Sequence, residues 1–169
     1  MKFVLKLLLF FAVFSASATN LLQGRVVSVA DGDTITILDA SNTQHKIRLQ
    51  GIDAPEKAQA FGEKSKQALH ALVHSKTVEV SFTKNDKYGR IVGKVFLGTQ
   101  DICHEQIKTG LAWHYAKYQS EQPLEDRAAY SASERSAKSQ KLGLWSDDQP
   151  VPPWDYRKNK WTLGLVWPT

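Results

Sequence analysis

Five short segments of alternating apolar and polar residues, separated by turn signals, constrain the fold of this chain more than any other feature. They are residues 25–29, 34–38, 46–50, 77–82 and 90–97. Alternation is typical of β-strands with one buried face. The first three strands are connected by short polar turns, which favours an antiparallel meander. One helical segment separates the third strand from the fourth, and this order predicts a small Greek-key β-barrel, whose closure removes exposed strand edges.

Three helices are predicted around this barrel. Residues 57–75 carry apolar side chains at three- and four-residue spacing, and residues 102–109 form a short helix that ends at Gly110. Residues 121–142 form a longer helix that ends at Gly143. We expect its apolar stripe to contain Leu124, Ala128, Ala132 and Leu142. The predicted fold class is therefore α+β, a five-stranded barrel with about three packed α-helices.

The two ends of the chain differ from this central region. Residues 1–18 combine a basic start, a short apolar run and the small residues Ala16-Ser17-Ala18, which is the pattern of a signal peptide cleaved after Ala18. We expect a secreted or periplasmic protein without stable membrane association after cleavage. Residues 19–149 would form the main domain. Residues 150–169 are rich in proline and tryptophan and lack periodicity, so we expect an extended arm packed on the domain, with a base-stacking surface as the alternative.

Composition limits the remaining possibilities only mildly. The chain has 169 residues and a net charge of +5 at pH 7, two units of which come from Lys2 and Lys6. This charge argues only weakly for a polyanionic partner. The single cysteine, Cys103, excludes an internal disulfide and is expected to be a small buried residue. His70 and His74 have the spacing of two zinc ligands on a helix, but no third ligand accompanies them, and surface histidines are the better interpretation.

Charged residues gather where the third strand ends. Arg48 lies on the strand, and Asp53 and Glu56 follow in a turn that Pro55 stiffens. Carboxylate oxygens bind hard metal ions and arginine binds phosphate oxygens, so this combination suits phosphate chemistry. Taken alone, the segment could equally be an ordinary charged turn. The Asp31-Gly32-Asp33-Thr34 turn and the Asp86-Lys87-Tyr88-Gly89-Arg90 loop add further carboxylates and a second arginine.

In their order, these motifs resemble those of the staphylococcal nuclease family. The resemblance covers Val29-Ala30-Asp31-Gly32-Asp33-Thr34, Ile47-Arg48-Leu49 with Asp53-Ala54-Pro55-Glu56, the Asp86 to Arg90 loop, and Gly143-Leu144-Trp145 after a long helix. It implies an OB-fold barrel. It also implies a calcium-dependent, sugar-nonspecific endonuclease that hydrolyses DNA and RNA to products ending in a 3′-phosphate.

The resemblance also implies roles for individual residues. Asp33 and Asp53 would bind Ca²⁺ through their carboxylates, and Ala54 through its backbone carbonyl. Glu56 would act as the general base, and Arg48 and Arg90 would bind the scissile phosphate. The substrate-contacting residues would be Lys87, Tyr88 and Tyr118.

Elementary chemistry agrees with this assignment, and one rival function is left open. Attack on a phosphodiester builds negative charge that a divalent ion and two arginines would stabilise, and every proposed metal ligand is a hard oxygen, as calcium prefers. The rival is an OB-fold module that binds nucleic acid without cutting it. Binding alone would not require the five charged residues of the proposed site to be present together, namely Asp33, Asp53, Glu56, Arg48 and Arg90. We therefore predict a monomeric nuclease that acts on DNA and RNA.

Overall fold

A closed barrel of five strands forms the centre of the molecule, whose computed structural model describes residues 19–162. Three further short strands accompany the five of the barrel. In chain order the strands are β1 (Asn20–Asp31), β2 (Thr34–Leu38), β3 (Gln44–Leu49), β4 (Ile52–Asp53), β5 (Thr77–Asn85), β6 (Ile91–Leu97), β7 (Gln100–Asp101) and β8 (Trp113–His114). Antiparallel pairing joins β3, β2, β1, β5 and β6 in that order, and a parallel pairing of β3 with β6 closes the barrel. The predicted barrel of five strands is confirmed.

Strand β1 holds the barrel together because it pairs along its length with two partners. Its first half, from Asn20 to Arg25, pairs with β5, and its second half, from Arg25 to Asp31, pairs with β2. The pairing with β2 shifts register twice, after Val26 and after Val29. Such bulges bend a strand and increase its twist, which a small closed barrel requires.

The barrel interior contains the apolar residues that the alternation predicts. They include Val26, Ile35, Ile37, Ile47, Leu49, Val78, Val80 and Val95, all essentially inaccessible to solvent. Burying each of these side chains contributes roughly 1.5–3 kcal/mol. The core therefore holds the strands in register, and the polar residues at the strand ends are left to the surface and to the candidate site.

Residues 19–162 contain four α-helices and two 3₁₀ helices. The α-helices are α1 (Gly62–Val73), α2 (Ile102–Lys108), α3 (Leu124–Ser139) and α4 (Pro153–Thr162), and the 3₁₀ helices are Ala116–Glu121 and Gly143–Ser146. Helix α1 packs on β1, α2 packs on β6, and α3 packs on α2. No helix in the described part of the chain is long and apolar enough to cross a membrane.

Helix α1 begins later than the sequence predicts, at Gly62 instead of residue 57. Phe61 has a left-handed backbone with φ 65°, and a tight turn precedes it, in which the Gln59 N–H donates to the Glu56 carbonyl at 2.8 Å. A side chain at position 62 would collide with that same carbonyl. The residues that the pattern assigned to the first helical turn therefore form this tight turn instead.

The prediction for helix α3 is wrong in its start and in its apolar stripe. A 3₁₀ helix occupies the residues before Gln122, and α3 starts only after Pro123. Leu124 is 73 % exposed, whereas Tyr130 and Ala137 are buried. The reason is that α3 contacts α2 with a different face: the Tyr130 hydroxyl donates to Asp101 at 2.8 Å, a contact that hydrophobic spacing does not reveal.

The C-terminal segment is a helix over Pro153–Thr162 and not the extended arm that we expected. Pro153 stands at the first helical position, where its fixed φ favours a helix and its missing N–H costs nothing. Asp155 adds a negative charge in the first turn, which the helix dipole favours. The interpretation of residues 1–18 as a signal peptide, and of residues 163–169 as part of the arm, lies outside the described residues.

Candidate active site

A cavity of about 670 Å³ opens at one end of the barrel. The lining includes all nine residues that the sequence predicts for the site, namely Asp33, Arg48, Asp53, Ala54, Glu56, Lys87, Tyr88, Arg90 and Tyr118. Their convergence follows from the barrel topology. The parallel pairing of β3 with β6 sets Arg48 opposite Val92, and thus brings the end of β3 beside the loop that contains Arg90.

Asp33 is held at the start of β2 by three contacts. Its Oδ2 atom accepts a hydrogen bond from the Ala54 N–H at 2.6 Å and lies 3.0 Å from Nη1 of Arg48. Its Oδ1 atom accepts from the Thr34 hydroxyl at 3.1 Å. Burial raises the pKa of the Asp33 carboxyl to about 8, against the opposing attraction of Arg48, and the nearby charges of Asp31 and Asp53 add to the rise.

Asp53 is a fully buried carboxylate on β4, a short strand that pairs with β8. Its Oδ1 atom lies 2.9 Å from Nη2 of Arg48. Arg48 therefore bridges Asp53 and Asp33. Burial lowers the pKa of the Arg48 guanidinium, but attraction to the two carboxylates outweighs burial and raises this pKa above its ordinary value.

Glu56 lies further along the turn and is more accessible, with 39 % of its side chain exposed. Its backbone N–H donates to the Gln59 side-chain carbonyl at 3.1 Å, which fixes the turn. A partly exposed carboxylate near a buried acidic pair fits the role of a base that exchanges protons with water better than either buried aspartate does.

Arg90 enters the cavity from the loop between β5 and β6, and Asp86 positions it. The Arg90 Nε donates to Asp86 Oδ2 at 2.7 Å, while Asp86 Oδ1 accepts the backbone N–H groups of Tyr88 and Arg90. Burial raises the pKa of Asp86, but these hydrogen bonds outweigh it and hold the pKa below its ordinary value. Asp86 is thus a stable anion that orients the Arg90 guanidinium.

Aromatic rings stand at the rim of the cavity. Tyr88 is 72 % exposed, and the Lys87 ammonium and the Arg90 guanidinium lie 5.0 Å and 5.6 Å from its ring centre. Tyr118 is also exposed, and its ring meets the Tyr115 ring edge to face at 4.9 Å. Exposed rings beside cations can stack on bases while the cations bind phosphates.

Sequence reasoning missed Tyr115 and Arg157 among the residues that line the cavity. Tyr115 follows β8 and lines the cavity, and Arg157 reaches into it from α4. Arg157 Nη2 lies 2.7 Å from Asp53 Oδ2, and its Nη1 lies 2.7 Å from Glu56 Oε1. The Pro-Trp composition around Arg157 indicated packing, but no local signal connected this arginine with a turn about a hundred residues earlier.

The donor atoms fit a hard cation, although acidic residues are few. Within residues 19–162, no group of three or more His, Cys, Asp and Glu residues is arranged to hold a metal ion. Two carboxylates, those of Asp33 and Asp53, and the Ala54 carbonyl would have to suffice, with water completing the shell. An all-oxygen set of this kind suits Ca²⁺, which accepts irregular coordination with several waters.

Comparison with known proteins identifies the family that the sequence motifs resemble. Residues 46–147 match the model of the family described as Staphylococcal nuclease homologue. An uncharacterized endonuclease of Haemophilus influenzae is 40 % identical over 154 residues, which is 91 % of this chain and 83 % of that protein. An uncharacterized endonuclease of Escherichia coli is 41 % identical over 82 % of this chain and 87 % of its own length. The Staphylococcal-like nuclease CAN1 of Arabidopsis thaliana is 36 % identical over 68 % of this chain and 34 % of its own length.

The chain belongs to the staphylococcal nuclease family. The family match ends at residue 147, so helix α4 and Arg157 lie outside the matched region.

Proposed function

We propose that this protein is an exported, calcium-dependent endonuclease that hydrolyses DNA and RNA and leaves 3′-phosphate ends. The observation that carries the proposal is the convergence of Arg48, Arg90, Glu56 and the two aspartates on one cavity. Relatives that are named endonucleases and staphylococcal-like nucleases support the nuclease reaction. Calcium rests on the oxygen-only donor set, and export rests on the pattern of residues 1–18.

The two arginines stabilise the phosphate as its charge grows. When water attacks phosphorus, negative charge builds on the non-bridging oxygens, and a fixed guanidinium can donate two hydrogen bonds to them. Asp86 holds Arg90 through its Nε atom, which leaves the outer guanidinium edge to the substrate. A Ca²⁺ ion held by Asp33, Asp53 and the Ala54 carbonyl would supply further positive charge to the same oxygens.

Glu56 removes the proton from the attacking water. The new bond joins the water oxygen to phosphorus, the bond from phosphorus to the 5′ oxygen breaks, and the leaving 5′ oxygen takes up a proton from solvent. One product therefore ends in a 3′-phosphate and the other in a 5′-hydroxyl. The exposed rings of Tyr88 and Tyr118 would hold the flanking bases by stacking, which tolerates either sugar and any base.

A cleavage assay with matched variants tests the proposal. The purified protein is incubated with plasmid DNA and with single-stranded RNA, in Ca²⁺, in Mg²⁺ and in a chelator. We expect cutting of both substrates in Ca²⁺ alone. Glu56→Gln should lower the rate by about 10²–10⁴, the usual cost of losing a general base, while binding of nucleic acid is retained. Glu79→Gln, an exposed glutamate of β5, is the control and should cut normally.

The chemical nature of the cleavage products and two contrary outcomes also test the proposal. Digests treated with a 3′-phosphatase should release inorganic phosphate. Binding of nucleic acid without cutting under any metal would replace the nuclease with a binding module. Cutting by Glu56→Gln at the unaltered rate would remove Glu56 from the mechanism.

A further inference from the structure

Arg157 occupies the carboxylates that the proposed reaction needs. Its Nη2 atom lies 2.7 Å from Asp53 Oδ2, and its Nη1 atom donates to Asp53 Oδ1 at 3.2 Å and to Glu56 Oε1 at 2.7 Å. One guanidinium therefore bridges the predicted metal ligand and the predicted base. With Arg48 on Oδ1, both oxygens of the buried Asp53 carboxylate are engaged by arginines.

The backbone around Arg157 is attached to the domain at several points. The Trp154 ring is parallel to the Tyr115 ring within 3°, with centres 5.3 Å apart, and meets the Trp113 ring edge to face at 5.6 Å. The Tyr156 hydroxyl donates to the Ala58 carbonyl at 3.0 Å. Before the helix, the Gln59 side-chain N–H donates to the Val151 carbonyl at 2.5 Å. Packing of α4, and not a chance rotamer of one long side chain, delivers the guanidinium to this position.

The charges on Arg157 and on a metal ion compete for the same partners. A buried carboxylate needs a positive partner, and for Asp53 this is a pair of arginines in the structure described. An ion bound by Asp53 would lie near the Arg157 guanidinium, and because Arg48 also contacts this carboxylate, the ion would be a third cation there and would be strongly repelled at low dielectric constant. Glu56 is likewise unable to accept a proton from water through the oxygen that Arg157 holds.

We propose that helix α4 is an autoinhibitory strap, in which Arg157 takes the place of the metal ion at Asp53 and closes off Glu56, so that Ca²⁺ must displace it. This inference rests on the proposed function only in so far as Asp53 binds Ca²⁺. In a two-state equilibrium, the observed affinity is the intrinsic affinity reduced by the fraction of molecules that are competent to bind. If the strap is open in about one molecule in ten, removing it tightens Ca²⁺ binding about tenfold.

Calorimetric titration of the protein with CaCl₂, without nucleic acid, measures this directly. Arg157→Gln should tighten Ca²⁺ binding about tenfold, in line with the open fraction assumed above. Arg157→Lys, which keeps the charge but not the two-pronged contact, should give an intermediate value. Trp154→Ala keeps Arg157 and removes the stacking on Tyr115, so it should also tighten binding. Arg135→Gln, an exposed charge of α3 that hydrogen-bonds to Ser131, is the control for lost charge and should leave the affinity unchanged.

The outcomes separate the strap from the nuclease. Equal Ca²⁺ affinity in the parent protein, Arg157→Gln and Trp154→Ala would overturn the strap while leaving the calcium site intact. Weaker catalysis in Arg157→Gln at unchanged Ca²⁺ affinity would also overturn it, because Arg157 would then act on the phosphate. Absence of Ca²⁺ binding in every variant would overturn the metal assignment and the strap together. Circular dichroism of each variant verifies that the barrel is folded.

Discussion

Arg48 contacts Asp53 through Nη2 at 2.9 Å, deep in the wall of the cavity. The same guanidinium reaches Asp33 through Nη1 at 3.0 Å, so that one cation is shared by two carboxylates that are almost entirely buried. Sequence reasoning assigned Arg48 to the substrate phosphate alone. The structure adds a second task, because a buried carboxylate without a positive partner would be strongly destabilising.

Replacing Arg48 should therefore destabilise the protein, and bound Ca²⁺ should restore part of the lost stability. Without metal, we expect Arg48→Gln to lower the free energy of unfolding by about 3–5 kcal/mol, the usual cost of leaving a buried charge without its partner. Ca²⁺ binds the folded state and neutralises the same carboxylates, so it should stabilise the variant more than the parent protein. Urea unfolding in chelator and in Ca²⁺ measures both values.

Arg135→Gln provides the control for Arg48→Gln, since it removes an exposed arginine of α3 and should change the free energy of unfolding by less than about 0.5 kcal/mol. A loss of stability in Arg48→Gln that is the same in chelator and in Ca²⁺ would contradict the idea that the ion and the guanidinium serve the same carboxylates.

Asp86 lines the cavity and should matter for catalysis because it positions Arg90. Its Oδ2 atom holds Arg90 Nε at 2.7 Å, and its Oδ1 atom caps the loop. Asp86→Ala should lower kcat/KM about 10–100-fold, because a displacement of about 1 Å in a catalytic group can cost as much. Asp86→Asn keeps the oxygen that accepts the loop N–H groups and loses the charged acceptor. Its kcat/KM should therefore lie between those of the parent protein and Asp86→Ala. Initial rates on single-stranded DNA give the ratio.

A comparable carboxylate elsewhere serves as the control for Asp86. Asp39 caps the turn between β2 and β3 in the same manner, accepting the N–H groups of Ser41 and Thr43 and pairing with His45. Asp39→Ala should leave kcat/KM unchanged, since Asp39 is not among the residues that line the cavity. Equal losses in the two alanine variants would mean that turn stability, and not the orientation of Arg90, is responsible.

Cys103 should be chemically silent in the folded protein. The thiol is fully buried on α2, as the sequence predicted, and burial raises its pKa to about 12. The reactive form is the thiolate, so at pH 8 only about one molecule in 10⁴ carries it, compared with about a quarter for a free cysteine of pKa about 8.5. A disulfide reagent should label Cys103 in denaturant and leave the native protein unmodified over the same time. Rapid labelling of the native protein would show that α2 opens readily.

Most of the nine predicted site residues lie in local motifs that resemble those of the staphylococcal nuclease family, and the structure places all nine at one cavity. Asp33 is in a hairpin turn, Arg48 ends a strand, and Arg90 follows a tight loop. The barrel then brings the motifs together, since the strand order and the parallel pairing of β3 with β6 place these turns and loops at the same cavity. The order of strands and turns was thus sufficient for the barrel and for most of the cavity.

Arg157 was beyond the reach of the same reasoning for a physical reason. It meets Asp53 across 104 positions of sequence, through a helix whose own apolar pattern is weak. Its placement depends on ring stacking between Trp154 and Tyr115, a tertiary contact between two segments that each lack periodicity. The same applies to Tyr130 of α3, whose burial depends on a hydroxyl bond to Asp101 and not on hydrophobic spacing.

Gly32 should be indispensable to the turn that presents Asp33. A Cβ at this position would overlap the hydroxyl of the buried Ser65 and lie 2.7 Å from the Ala54 Cβ, although the Gly32 backbone is not left-handed. Gly32→Ala should therefore destabilise the protein by about 1–3 kcal/mol through overpacking alone, and should lower nuclease activity because the turn moves Asp33. Gly98→Ala isolates the cost of a left-handed backbone, since Gly98 has φ +60° and open space around it. This variant should lose about 1–2 kcal/mol of stability with unchanged activity. Unfolding in urea and initial cleavage rates separate the two effects, and full activity in Gly32→Ala would show that the turn adjusts without displacing the carboxylate.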